Sequence, residues 1–243
     1  VPAPSDGAVQ VIVRSDPERL VVAAAPAQVA AATTSLSGSD LTITWTAPSD
    51  GAGTPSAALV YGIRIATASL AGATSFIESF IHASPYMGNK GALQAKLKVR
   101  DGLTYYWRIR AIDAGLREGA ESAEQSYVVA GIPPGAPSDF KAVLADQVKL
   151  SWTAPGDDAD LGQAASYNIR YRITADPSNP PAFPGNPAWI SVAGLVTIPS
   201  PKTAGSAETL VVSGLEPGQS YQFAMQTTDS ASLTSAVVYS GTV

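Results

Sequence analysis

The sequence has no cysteine and only one histidine, His82, among its 243 residues. Disulfides, thiol chemistry, cysteine-containing zinc sites and histidine-rich metal sites are therefore excluded by composition. A hydrolase with a serine nucleophile normally needs a histidine base, and His82 lies between two apolar residues in a segment that favours a strand. We therefore expect no enzymatic activity and no cofactor.

Charge is also scarce, since 14% of the residues are charged and the formal net charge is −5. A chain without a basic surface lacks the electrostatic footprint of a protein that binds nucleic acid or anionic lipid. The nearest approach to a long apolar run, residues 20–32, is interrupted by Pro26 and Gln28 and is too short to span a bilayer. We expect no nucleic-acid partner and no membrane insertion.

The chain does contain 45% hydrophobic residues, together with 21 glycines and 19 prolines. Such a chain can bury a core, and the frequent glycines and prolines favour many turns over long helices. The first residue is Val1 rather than methionine, which fits either a processed mature protein or a fragment of a longer one.

A repeat runs through most of the chain. Residues 41–48 (LTITWTAP) reappear as residues 148–155 (VKLSWTAP), and each copy alternates apolar and polar residues up to a tryptophan and a proline. A polar turn and a second strand pattern follow in both copies, the first containing Tyr61 and the second Tyr167. These patterns predict two homologous units built of β-strands.

A later block strengthens the repeat. Residues 99–113 match residues 215–229 with the same spacing, and every second residue is the larger or more apolar one, which predicts a strand with one face on a core. We place the units at residues 26–131 and 132–243, each about the length of one β-sandwich. Between them, Gly131–Pro137 is predicted to be a short linker stiffened by its prolines.

The tryptophan on an early strand, the tyrosine on the next, and Leu-x-Pro-Gly-x-x-Tyr-x-Phe before a late aspartate resemble the fibronectin type III module. This resemblance implies an all-β fold of two tandem immunoglobulin-like sandwiches, with residues 1–25 as an extra N-terminal β segment. It also implies that the tyrosine hydroxyls of the sixth strand bond back to the preceding corner. The core positions that it assigns are Trp45, Tyr61, Tyr105, Trp107, Trp152, Tyr167, Tyr221 and Phe223.

Residues 1–25 contain two β-prone runs, residues 8–14 and 19–25, which predict strands around a turn. Three interpretations stay open: a hairpin docked on the first unit, the tail of a preceding module, or a donor strand that completes a sheet in another copy of the chain. The donor strand would form a head-to-tail contact that propagates as a filament. The residues that we assign to this assembly are Val9, Val11, Val13, Leu20 and Val22.

Few residues suggest a ligand site. Asp157, Asp158 and Asp160 are the best metal candidates because Ca²⁺ prefers clustered oxygen ligands, although their spacing departs from the Asp-x-Asp-x-Asp-Gly loop and favours a solvated turn. Three further acids lie close together in the sequence, but a solvated loop explains them without invoking glycoside hydrolysis. They are Glu118, Glu121 and Glu124.

The long connections after each second strand are the other candidates for binding. We predict strands at residues 75–82 and 188–192, and turn-rich loops at residues 175–186 and 199–206. Four aromatic residues outside the core positions are candidates for stacking on a sugar or contacting a partner, although Trp189 is expected to be buried. They are Tyr86, Phe183, Trp189 and Tyr239.

The second unit resembles the variety of module found in secreted and surface proteins of bacteria. We therefore expect a non-enzymatic, extracellular or cell-surface protein that acts as an adhesive, spacer or filament subunit. Its expected partners are proteins, foremost copies of itself in a homo-oligomer or filament, with a glycan as a second class. One alternative is a spacer in a larger secreted enzyme that acts on polysaccharide, and another is a receptor-like module for a soluble ligand.

Overall fold

A computed structural model describes residues 24–49, 58–77 and 92–243 of the chain. The strands are antiparallel in every sheet, and the predicted all-β fold class is confirmed. No helix within these ranges has the length and apolar character needed to cross a bilayer. Residues 1–23 fall outside the described ranges, and with them Val9, Val11, Val13, Leu20 and Val22.

The strands of the first sandwich form two sheets, ordered β1-β2-β4 and β3-β5-β6. Their bounds are β1 Thr33–Ser37, β2 Asp40–Thr44, β3 Val60–Ala66, β4 Gln94–Lys98, β5 Thr104–Ile112 and β6 Gln125–Val128. The second sandwich has sheets ordered β7-β8-β11 and β10-β9-β12-β13. Their bounds are β7 Ser138–Leu144, β8 Val148–Thr153, β9 Ser166–Ile173, β10 Ile190–Ser191, β11 Ala207–Val212, β12 Tyr221–Thr228 and β13 Val238–Thr242.

Each sandwich encloses its own cluster of buried apolar residues. Period-two burial along β5 and β8 explains why these sequences form strands, since alternate side chains enter the core. The eight core positions assigned from the resemblance are all buried. The domain boundaries stay a prediction, and Ile132, placed at the start of the second unit, packs in the core of the first.

The tyrosines of β5 and β12 hold the corner that precedes them. The Tyr105 hydroxyl accepts the Arg100 backbone N–H at 3.0 Å, and the Tyr221 hydroxyl accepts the Glu216 N–H at 2.8 Å. Tyr221 also donates to the Glu216 carbonyl at 3.0 Å. Because these bonds satisfy backbone groups where the chain crosses between sheets, they fix the loop that enters each strand.

Two predicted strands differ from the structure. Residues 188–192 form only the two-residue β10, because the Ser191 hydroxyl accepts the Ala193 N–H at 3.2 Å and starts a 3-10 turn over Val192–Gly194. Of the strand predicted at residues 75–82, only residues 75–77 are described. They are not in a strand, although the Ile77 N–H donates to the Ile65 carbonyl at 2.8 Å.

An equivalent tyrosine packs edge-to-face on the core tryptophan in each sandwich, with ring centroids 5.5 Å apart for Trp45 and Tyr61 and 5.4 Å apart for Trp152 and Tyr167. Their hydroxyls differ. The Tyr167 hydroxyl donates to the buried Glu208 carboxylate at 2.7 Å, whereas the buried Tyr61 hydroxyl has no hydrogen-bond partner within the described residues. Burial raises the pKa of both tyrosines, and in Tyr167 the carboxylate adds to the effect.

The two tyrosines should therefore respond differently to loss of the hydroxyl. We expect Tyr167→Phe to lower the free energy of unfolding by about 1–3 kcal/mol, because Glu208 loses a buried donor. Tyr61→Phe should be neutral within about 0.5 kcal/mol or slightly stabilising, since it removes a buried polar group that makes no hydrogen bond. Urea unfolding monitored by tryptophan fluorescence measures both, and equal losses in the two variants would contradict this assignment.

Candidate interaction site at the joint between the sandwiches

The linker between the sandwiches is bound by a loop of the second one. The Ala159 N–H donates to the Pro133 carbonyl at 3.0 Å, and the Ala159 carbonyl accepts the Gly135 N–H at 3.0 Å, so the two segments form a short parallel bridge. On the other side of the linker, Ile132 is 2% exposed in the core of the first sandwich. The proline-rich linker is therefore held at both of its sides.

This close packing requires glycine. A Cβ on Gly135 would lie 2.4 Å from the Ala159 carbonyl oxygen, and a Cβ on Gly156 would lie 2.2 Å from the Leu161 carbonyl oxygen. Ala159 itself has φ +56°, a left-handed conformation that non-glycine residues seldom adopt. Its side chain packs against the core of the first sandwich, next to Gly38. Packing and hydrogen bonds thus hold Ala159 in an unfavourable backbone conformation.

An ion pair joins the two sandwiches beside this bridge. The Lys98 ammonium lies 2.8 Å from the Asp160 carboxylate and 3.3 Å from Asp40, while the Ser39 hydroxyl donates to Asp160 at 2.5 Å. Lys98 and then Ser39 lower the pKa of Asp160, and the hydrogen bond to Asp160 is the main cause of the raised pKa of Lys98. Because both charged side chains are about half exposed, the pair orients the joint more than it stabilises it.

The three aspartates proposed as metal candidates have separate surroundings. Asp157 accepts the N–H and the hydroxyl of Ser230 at 3.1 Å each, which braces the β12–β13 loop. Burial raises the pKa of Asp158, opposed by a hydrogen bond from the Asp101 backbone. Asp160 faces Lys98. Across the described ranges, no three acidic or histidine side chains are grouped as metal ligands would be.

The carboxylates of Glu118, Glu121 and Glu124 face cations on the outer surface of the β3-β5 sheet. Glu121 pairs with Arg64 and Arg110 at 2.9 Å each, and Glu124 lies 3.7 Å from Arg108. Glu118 pairs with Arg110. These pairs attach the segment after β5 to the sheet, and each carboxylate has a positive neighbour rather than a second acid to share a proton.

The aromatic candidates of the second sandwich pack on each other. Trp189 is 2% exposed, its ring lies 5.8 Å from both Phe183 and Tyr239, and its indole N–H donates to the Pro181 carbonyl at 3.0 Å. The loop at residues 175–186 therefore covers the outer face of the β9-β12-β13 sheet, and the Trp189 ring is not exposed for stacking on a sugar. Tyr86 and His82 lie outside the described residues.

The loop at residues 199–206 reaches the joint instead. The Ala204 N–H donates to the Gly162 carbonyl at 3.0 Å and the Gly205 N–H to the Ala154 carbonyl at 2.9 Å. An open cleft of about 600 Å³ lies between the sandwiches, with Lys98 and Asp160 among its lining residues. The sequence analysis did not identify Ser39, Lys98 or Gly135 at this site. The only signal was that Gly135 follows Pro134 in the proline-rich linker.

Comparisons with known proteins find similar sequences and structures. Residues 135–240 match the family model of the Fibronectin type III domain. This match spans most of the second sandwich and agrees with the resemblance there. A 59-residue stretch is 42% identical to human "Calcium-activated chloride channel regulator 2". That match takes in 20% of this chain and only 6% of the length of the human protein.

Solved structures with low sequence identity also align over most of the chain. A chicken tenascin segment of two fibronectin type III domains is 15% identical, with 88% of this chain and 98% of that chain covered and a TM-score of 0.43. The chicken interferon gamma receptor alpha chain is 12% identical, with coverages of 88% and 96% and a TM-score of 0.48. The chicken CNTN1 FN1–FN3 segment is 19% identical, with coverages of 90% and 67% and a TM-score of 0.33.

We expect Gly135→Ala to loosen the joint, because the new methyl group collides with the Ala159 carbonyl and breaks the bridge. The chain has no native cysteine, so spin labels on Lys96→Cys and Lys149→Cys can report the distance between the sandwiches by double electron–electron resonance. The distance distribution should broaden in Gly135→Ala. It should stay narrow in the control Gly185→Ala, whose Cβ would meet no atom within 4 Å. An unchanged distribution in Gly135→Ala would count against the bridge.

Two isosteric substitutions in the same loop should have different effects on the distance between the labels. Asp160→Asn removes the attraction to Lys98 and should broaden the labelled distance, whereas Asp158→Asn removes a desolvated charge next to Asp101 and should leave it narrow or narrow it further. Because the pKa of Asp160 is lowered, its contribution is present above pH of about 4 and is lost as the pH falls through the lowered value. The pKa of Asp158 is raised because burial desolvates its carboxylate. This unfavourable desolvation is present at higher pH, where the carboxylate is charged, and protonation in acid relieves it. Similar distributions for both variants at pH 7 would refute the assignment.

Proposed function

We propose that this chain is a non-enzymatic extracellular structural protein, similar to those on bacterial surfaces. It acts through protein–protein contacts and assembles with copies of itself. The observation that carries this proposal is the joint. A linker bound on both sides, a glycine-dependent bridge and an oriented ion pair hold two sandwiches at a defined spacing. A rigid pair of modules suits a spacer, adhesive or filament subunit, and the fibronectin type III match fits an extracellular protein.

The surroundings of the polar candidates support a non-enzymatic function. Asp157 braces a loop, Asp160 belongs to the joint, and Glu121 has two arginine neighbours. A general acid or base needs a pKa near the working pH and access to a substrate. Each of these carboxylates instead accepts a hydrogen bond from a hydroxyl group or forms an ion pair with a cation, as expected of residues that stabilise the fold.

Self-assembly by strand addition is supported by the sheet edges and by the N-terminal sequence. β6 and β7 are edge strands in the described sheets, and they carry the exposed residues Val128 (65%) and Val143 (58%). An edge strand presents N–H and C=O groups to which an extended segment of another chain can bind. Residues 9–13 have valine at every second position, a sequence pattern that favours an extended segment of this kind.

Sedimentation velocity and electron microscopy of the purified chain test this function. We expect concentration-dependent, elongated assemblies for residues 1–243 and monomers for a chain without residues 1–25. Val11→Asp should also give monomers, because it places a charge on the valine face, whereas the neighbouring Gln10→Asp adds the same charge to the opposite face and should still assemble. Monomers of the unaltered chain at all concentrations would overturn self-assembly.

A further inference from the structure

The outer side of β11 pairs with no other strand of the described sheets. β11 is the outermost strand of the β7-β8-β11 sheet, and its six residues pair with β8 without a register shift. Along it, the side chains of Ala207, Thr209 and Val211 are exposed, that of Val211 by 48%. The strand therefore offers a straight, accessible edge to which a further strand can be added.

The backbone groups of these three exposed residues point away from β8. The Ala154 N–H, just after β8, donates to the Ser206 carbonyl at 2.8 Å, so the Ser206 carbonyl faces β8. Because successive residues of an antiparallel strand alternate in direction, the N–H and carbonyl groups of the three exposed residues face the open edge. The Ala207 carbonyl agrees with this direction, since it accepts the Lys202 ammonium at 3.3 Å.

The equivalent edge of the first sandwich, β4, carries two lysines. Lys96 is the counterpart of Val211, because their partners Thr42 and Lys149 occupy the same position in the repeat. Lys96 and Lys98 are both exposed on β4, and lysines on an edge strand hinder pairing with another copy. β11 contains no lysine, proline or bulge that would have the same effect.

Two copies of β11 are self-complementary when they pair antiparallel around Thr209. In that register Thr209 lies opposite Thr209 of the second copy, and Ala207 of each copy lies opposite Val211 of the other. All three outward-facing residues then form hydrogen-bonded pairs. A register centred on Glu208 or Leu210 loses one of these pairs, and the one centred on Glu208 also places two carboxylates opposite each other.

We propose that β11 pairs with β11 of a second copy in this register, so that two β7-β8-β11 sheets join into one sheet of six strands. The contact has two-fold symmetry, because each copy presents the same strand to the other. A threonine–threonine pair and two alanine–valine pairs on the exposed face favour it, and no like charges lie directly opposite each other. The inference goes beyond the proposed self-assembly, since it concerns a different surface.

The pairing is weak on its own. Its contacts are backbone hydrogen bonds between strands of six residues with small exposed side chains, and the area that they bury is below that of a stable dimer. We expect a dissociation constant on the order of 1 mM, so isolated copies stay monomeric at micromolar concentration. Copies held in an assembly reach effective concentrations in this range, and their edges then pair laterally. This lateral role rests on the proposed self-assembly, whereas the pairing itself does not.

Amide NMR spectra over a concentration series test the pairing. The sample is the full chain with Val11→Asp, for which the proposed function expects no strand addition. From about 0.05 to about 2 mM, the amide resonances of Ala207, Thr209 and Val211 should shift and the average diffusion coefficient should fall. Thr209→Lys places two lysines opposite each other and should weaken the pairing at least about tenfold. The matched control Ser35→Lys, at an exposed position on β1, should leave the pairing intact.

A second pair of variants separates the backbone from the side chain. Thr209→Pro removes the outward N–H, which the pairing with β8 does not use, and should abolish the concentration-dependent shifts. Thr209→Val keeps this N–H and should pair as the unaltered strand does. Urea unfolding of each variant verifies that the second sandwich remains folded.

Oxidation of cysteine variants in the same Val11→Asp chain tests the register. A mixture of Ala207→Cys and Val211→Cys chains should give a covalent heterodimer, because these two residues lie opposite each other across the two-fold axis. Either variant alone should give none, since its cysteine lies about 14 Å along the strand from that of a second copy.

The outcomes separate this inference from the proposed function. Spectra that do not change up to about 2 mM, or shifts that leave β11 unchanged, would overturn the pairing while self-assembly through residues 1–25 stands. Equal pairing of Thr209→Lys and the unaltered strand would also overturn it, and covalent dimers from either cysteine variant alone would overturn the register. If the unaltered chain is monomeric at micromolar concentration but pairs through β11 at millimolar concentration, the proposed self-assembly fails and this inference is supported.

Discussion

The relative position of the two sandwiches depends on the backbone of Ala159. Its N–H and carbonyl both bind the linker, and its left-handed conformation directs its side chain onto the first core. Because backbone groups make these bonds, the geometry does not rely on long, flexible side chains with high rotamer entropy. The half-exposed pair of Lys98 and Asp160 then adds orientation at little energetic gain. We expect two sandwiches joined in this way to behave as one body with a defined spacing.

Each sandwich has an apolar corner at one end. The first sandwich covers the apolar corner between β4 and β5 with Val129 and Ile132, which follow β6. In the second sandwich, Leu144 and Leu215 remain accessible at the equivalent corner.

The sequence allowed the fold to be predicted because its strongest signals are local. The alternation before Trp45 and Trp152 and around Tyr105 and Tyr221 identifies strands with one buried face, and the repeat supplies the fold class. The joint could not be found in this way, since Lys98 and Asp160 are 62 residues apart and only the packing of two modules brings them together. For the same reason, the acidic loop suggested a metal site although its carboxylates serve the joint and a neighbouring loop. The short β10 was mispredicted because a single hydroxyl, that of Ser191, turns the chain.

Residual dipolar couplings of the unaltered chain, partially aligned in a dilute liquid-crystalline medium, test the rigid joint most directly. Amide couplings from the strands of each sandwich define the orientation and degree of order of that sandwich separately. A joint held by the Ala159 bridge predicts that one alignment tensor fits both sandwiches, with equal magnitude and with the relative orientation of the structure. Two tensors of clearly different magnitude would show that the sandwiches move independently, and would contradict the central claim.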